Sequence, residues 1–179
     1  MTTTLVIHPH DESTHFLRPI YENISHKTVI TGGLWQNEVI NLIDIHDRII
    51  MLGHGSPSGL FGTGFGNNYV IGKSEAELLK NKECIFIWCH ADKFVKEHNL
   101  KGLHSGMFVS EVGEALIYGL RGDKKLVDDS NNTFAFMLGS ILHKIPLNEA
   151  YDQVKKDYGW LAKTNEIAKY NHERLSLAE

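Results

Sequence analysis

Arg48-Ile-Ile-Met-Leu-Gly-His-Gly55 and Glu83-Cys-Ile-Phe-Ile-Trp-Cys-His90 are two short apolar runs, the first ending in His-Gly and the second in Cys. Both have the length and unbroken apolar character of strands buried on two faces, the kind found where helices cover a parallel sheet. In each, the last residue emerges into a loop. If the strands are parallel neighbours, His54 and Cys89 leave the sheet at the same edge, within hydrogen-bond reach. That is the sequence footprint of a Cys-His hydrolytic site.

Outward from these strings, apolar runs alternate with amphipathic stretches. The pattern predicts an α/β fold, a three-layer α/β/α sandwich with a mainly parallel central sheet. A first strand is expected over 4–8, a helix through Phe16, Leu17, Ile20 and Ile24, a strand over 26–31 and a crossover helix over 35–46. Gly53 to Gly66 reads as a loop, with a hairpin arm over 67–71. Ser74 and Glu77 form a capping-box pair that opens a helix. Further on, the reading gives a helical turn at Phe94 and Val95, a strand over 105–109 and a helix capped by Ser110. Phe134, Met137, Leu138, Ile141 and Leu142 recur at helical spacing, with Asp128-Asp129 as a helix-start region. A helix led by Pro146 ends at Gly159, and a last helix spans 160–177.

The 179 residues suit one domain, 1–179, with a sizeable core. Hydrophobic content of 42%, charged content of 22% and a formal charge of −4 describe an ordinary globular chain. The 18 Lys and Arg are outnumbered by 22 Asp and Glu and form no stripe, so nucleic acid is not an expected partner. No segment approaches the roughly 18 unbroken apolar residues that cross a bilayer, and no signal peptide is evident. A cytoplasmic location is expected, without membrane association. The two cysteines, Cys84 and Cys89, point to opposite faces of one strand, so a disulfide is not expected.

A thiol is a nucleophile only as thiolate and needs a neighbouring base. His54 supplies one for Cys89. The backbone N–H groups of Gly55 and Cys89 are the candidate donors to a tetrahedral oxyanion. His10, Asp11 or Glu12, after the first strand, are placed to orient His54 or to read a substrate. A phosphate cradle at Gly62-x-Gly64-x-Gly66 lacks the following helix start and Lys-Ser/Thr. His8-Pro-His-Asp-Glu12 is similar to the zinc motif of PIG-L/LmbE-type deacetylases but has His10 where that motif has Asp, and no downstream ligand cluster follows.

With these residues, the chain resembles the caspase-like cysteine peptidases, the superfamily of caspases, gingipains, separase and CHAT domains. Leu52-Gly-His54-Gly55 and Trp88-Cys89 match its two strand-end signatures. The segment from Val127 to Phe136 and Ile145-Pro-Leu-Asn-Glu-Ala150 is most similar to the CHAT variety, with an acidic turn, a Phe-containing helix and a helix start. The resemblance implies a thiol protease, a hydrolase that cuts peptide bonds with Cys89 as nucleophile and His54 as general base and acid. It implies a peptide or protein substrate and no metal or organic cofactor. Trp88 stands where the family has a small residue, which predicts a side chain that narrows the cleft or contacts substrate. The chain length leaves little for an added specificity subdomain. The alternatives are a non-catalytic caspase-like module that binds a regulatory protein partner, and a zinc deacetylase using His8, His10 and Asp11.

Overall fold

The computed structural model describes residues 2–33, 35–63 and 68–179. Its centre is a six-stranded sheet in the order β2-β1-β3-β7-β8-β9, built from β1 (Thr4–Ile7), β2 (Lys27–Ile30), β3 (Arg48–Leu52), β7 (Glu83–Ile87), β8 (Gly102–Ser105) and β9 (Leu175–Ala178). All neighbours are parallel except β8 and β9. Every residue of β3 is buried, as expected of a strand covered on both faces.

Side chains that alternate along the strands feed two cores. Val6, Ile50, Leu52, Ile85 and Ile87 face α1 (Pro19–Glu22), α6 (Lys124–Ile141), α7 (Leu147–Leu161) and α8 (Glu166–Glu173). On the other face, Leu5, Ile7, Ile49, Met51, Phe86 and Trp88 pack under α2 (Gln36–Ile45), α3 (Lys73–Leu79) and α4 (Ala91–Glu97). The result is a three-layer α/β/α sandwich with a mainly parallel sheet. A small antiparallel sheet of β4 (Gly55–Ser56), β5 (Gly59–Phe61) and β6 (Tyr69–Ile71) follows β3. The expected loop therefore carries two strands, and the expected arm begins at Tyr69. Gly64, Phe65, Gly66 and Asn67 lie outside the described residues.

Several boundaries differ from the sequence reading. The helix through Phe16 is a 3-10 turn, Glu12–Leu17, followed by α1, because Pro19 cannot donate into a continuous helix. The cap of α3 is built by Glu75, which accepts the Gly72 N–H at 2.8 Å, while Glu77 pairs with Lys80. α6 starts at Asp123, whose side chain accepts the Leu126 N–H at 2.9 Å. Asp128 and Asp129 thus lie inside that helix, bridged to Lys124 and Lys125, and the expected acidic turn is helical. α5 (Val112–Ile117) follows Ser110, which bonds to Glu114.

The strand expected over 105–109 sits earlier, as β8. Beyond it, Gly106 N–H donates to Arg174 O and Val109 N–H to the Asn171 side chain, so this loop is satisfied by the late part of the chain and needs no sheet partner. Gly159 lies inside α7, facing His172 of α8. The expected last helix is instead α8 plus the strand β9. No described helix is long and apolar enough to cross a membrane.

Candidate active site

β3 and β7 pair in register from Arg48↔Glu83 to Leu52↔Ile87, and Gly53 N–H donates to Ile87 O at 3.1 Å. Two residues further along each chain, His54 and Cys89 are side by side just past the carboxyl edge. The strand order β2-β1-β3 reverses direction between β1 and β3, the kind of crevice in which open α/β sheets bind ligands. The loop after β1 also enters this crevice. The neighbouring parallel strands read from the two apolar strings are therefore present.

His54 is held by a residue the sequence reading did not select. Its Nε2 lies 2.7 Å from Ser13 Oγ, and Ser13 Oγ donates to Asp11 Oδ1 at 2.6 Å. Asp11 caps the 3-10 turn, also accepting the Ser13 N–H at 2.9 Å. The bond from the Ser13 hydroxyl holds the Asp11 carboxyl below the usual carboxylate range. A serine has one O–H to give, and here it goes to the carboxylate. Ser13 must then accept from His54, which assigns the imidazole proton to Nε2 and leaves the Nδ1 lone pair as the base. Asp11 thus orients His54 through Ser13, its own carboxylate standing 3.7 Å from Nε2. His10 plays no such part: it stacks on His15 with ring centroids 5.3 Å apart. The clue to Ser13 was the Asp11-x-Ser13 spacing of an N-cap turn.

Cys89 is half-buried at the junction of β7 and α4, and its thiol donates to Phe108 O at 3.5 Å. Burial pushes this thiol up to about 11; the Phe108 contact offsets part of that, and the nearby Glu114 carboxylate adds to it. At neutral pH the resting Cys89 is a protonated thiol. Cys84 is fully buried and pushed higher still, to about 12. No hydrogen bond joins His54 to Cys89 among the described residues, but both line one cavity of about 20 Å³ with Gly53, Phe108 and Ser110. A space of that size holds about one water. His90, the next residue, has φ of 66°, a left-handed conformation that costs a non-glycine residue on the order of 1 kcal/mol and turns the chain sharply after the thiol.

Gly55 and Cys89 carry the N–H groups expected to face an oxyanion. Phe61 N–H donates to His54 O at 2.9 Å, so residues 54 and 61 form a hydrogen-bonded pair across the hairpin. The next pair, Gly55↔Leu60, is then of the non-hydrogen-bonded kind, and Gly55 N–H faces away from β5. Among the described residues, no hydrogen bond takes the Cys89 N–H either. Gly55 has a second reason to be glycine: an added Cβ would lie 2.3 Å from Trp88 Cδ1 and 2.6 Å from Gly59 O.

Trp88 also lines the cavity that holds His54 and Cys89, and its ring lies against Gly55. It is 1% exposed, packs edge-on against Phe86 and Phe94, and donates its indole N–H to Ser56 O at 3.0 Å. Alternation along β7 sends it into the core opposite the face of Cys89. His8 is equally committed, its ring nitrogens 3.1 Å from Tyr21 Oη and 3.2 Å from Thr14 Oγ1. His8, His10 and Asp11 do not converge, and the described residues contain no group of three His, Cys, Asp or Glu spaced to hold a metal ion.

Comparison with protein-family models found none that matches the chain, and comparison with curated proteins found no match.

Proposed function

We propose that the chain is a caspase-like cysteine peptidase in which Cys89 attacks a peptide carbonyl with His54 as its base. The observation that carries this reading is the register of β3 and β7, which brings the two residues abreast at the switch-point edge of the sheet. The Nε2–H tautomer supports it, because Nδ1 remains to take the thiol proton. Cys89 sulfur then bonds to the carbonyl carbon, and Gly55 and Cys89 N–H donate to the oxyanion. The His54 proton passes to the leaving amine, and water hydrolyses the thioester with His54 again as base. A reducing compartment such as the cytoplasm keeps Cys89 a free thiol.

One observation favours a second reading, the non-catalytic module: the resting thiol is protonated and its cavity is small. A peptidyl acyloxymethyl ketone and iodoacetamide separate the two. The peptidase reading expects the peptidyl reagent to label Cys89 far faster than iodoacetamide does, with His54→Ala slowing it about a hundredfold or more. Equal rates for both reagents, unchanged by His54→Ala, would establish the module instead.

A further inference from the structure

We propose that the open edge of β2 takes up an extended acidic segment of a partner protein as a further strand, with a carboxylate seated against Arg18. β2 ends the sheet, with β1 as its neighbour on one side. Thr4 N–H donates to His26 O at 3.1 Å and His8 N–H to Ile30 O at 2.9 Å, so alternate residues of β2 turn their backbone groups towards β1. Lys27 and Val29, between them, turn theirs outward, and no described strand pairs with that side. Val29 is 40% exposed and Thr28 is exposed beside it.

A pocket of about 510 Å³ lies along this edge, lined by Lys27, Val29 and Thr31. The register Lys27↔Thr4 and Val29↔Val6 puts these side chains on the sheet face of Val6 and His8, and His8 also borders the pocket. Neighbouring strands sit about 4.8 Å apart and alternate side chains share a face, so every second side chain of an added strand stands over the pocket. The pocket shares no lining residue with the cavity of His54 and Cys89, and its role does not depend on the peptidase reading.

Charge selects the occupant. The chain as a whole carries a formal charge of −4, yet Arg18, Lys27, His10 and His15 line this pocket against one carboxylate, Glu22. Among the described residues, neither Arg18 nor Lys27 pairs with a carboxylate. Lys27 Nζ donates instead to Glu22 O at 3.1 Å and Ile24 O at 2.8 Å, which leaves the Arg18 guanidinium to meet an incoming anion. After burial, the charges of His15, Arg18 and His10 push the His8 pKa further down, so the three converge on one region. An extended acidic peptide answers both features, its backbone pairing with Lys27 and Val29 and its alternate carboxylates meeting Arg18. A small anion would leave the strand edge and Val29 uncovered.

The test is a chemical-shift titration of the native protein with acetyl-Thr-Glu-Thr-Glu-Thr-amide and its neutral counterpart acetyl-Thr-Gln-Thr-Gln-Thr-amide. The acidic peptide should shift the Lys27 and Val29 backbone amides, slow their hydrogen exchange, and bind at least about fivefold more tightly than the neutral one. Arg18→Gln should weaken the acidic peptide roughly two- to fivefold and leave the neutral one unchanged. Val29→Pro removes only an outward N–H, which an edge strand tolerates, and should abolish the slowed exchange at Lys27. Equal binding of the two peptides, or no change at Lys27 and Val29 with millimolar peptide, overturns the proposal. So does inorganic phosphate if it reproduces the same shifts, since the pocket then takes a small anion. Sedimentation that shows a dimer lost in Val29→Pro and unaffected by the acidic peptide gives the edge to a second copy of the chain and also overturns it.

Discussion

Gly55 is constrained from two sides, by an amide turned away from the hairpin ladder and by the Trp88 indole lying against its Cα. Gly55→Ala should therefore destabilise the protein by about 1–3 kcal/mol, measured as a lowered urea midpoint, because the new methyl must displace Trp88 or the Gly59 carbonyl. Combined with Trp88→Leu the two losses should be less than additive, since the smaller side chain makes room. At this scale the strings ending in His54-Gly55 and Cys89 were readable, because strand length and apolar content announce where each run stops. The imidazole tautomer was not, since it depends on one Ser13 hydroxyl that only the folded loop brings to His54. The raised thiol of Cys89 was likewise hidden, because it comes chiefly from burial in the packed fold, with Glu114 adding to it and the Phe108 contact offsetting part.

Elements with local signals were found, and those stabilised from a distance were misplaced. The stripe from Phe134 to Leu142 marked α6, whereas its start was missed because Asp128 and Asp129 look like caps until Lys124 and Lys125 are seen one turn earlier. Most of β9 was read as the end of the last helix, over 160–177, because its partner β8 lies some seventy residues away in the chain. α8 owes its start to Asn165, buried at 3%, whose side chain accepts from Ile167 and Ala168 N–H and donates to Leu126 O at 2.8 Å. Asn165→Ala should cost about 1–2 kcal/mol in denaturant unfolding. Asn165→Asp should bring no rescue, since it keeps the acceptor for the helix but sets a buried carboxylate oxygen against the Leu126 carbonyl.

Across the whole molecule, fold class was legible because buried parallel strands alternating with amphipathic helices admit few arrangements. Its acid sensitivity follows from His8, 4% exposed and lowered from 6.5 to about 4, chiefly by burial, while its contact with Thr14 works in the opposite direction. The unfolded chain binds a proton at His8 that the native state resists between those two values. Stability should consequently fall as pH drops from 6.5 to 4, by up to roughly 3 kcal/mol from this residue, and level off below. Urea midpoints for the native protein and His8→Gln should show the variant with the shallower pH dependence across that window. One strand also sets the order of events in time. His90 N–H reaches Gly106 O, Gly106 N–H reaches Arg174 O, and Arg174 immediately precedes β9. The turn that presents Cys89 is thus tied off by residues made some eighty positions later, and a ribosome still building the chain carries a thiol without its finished surroundings.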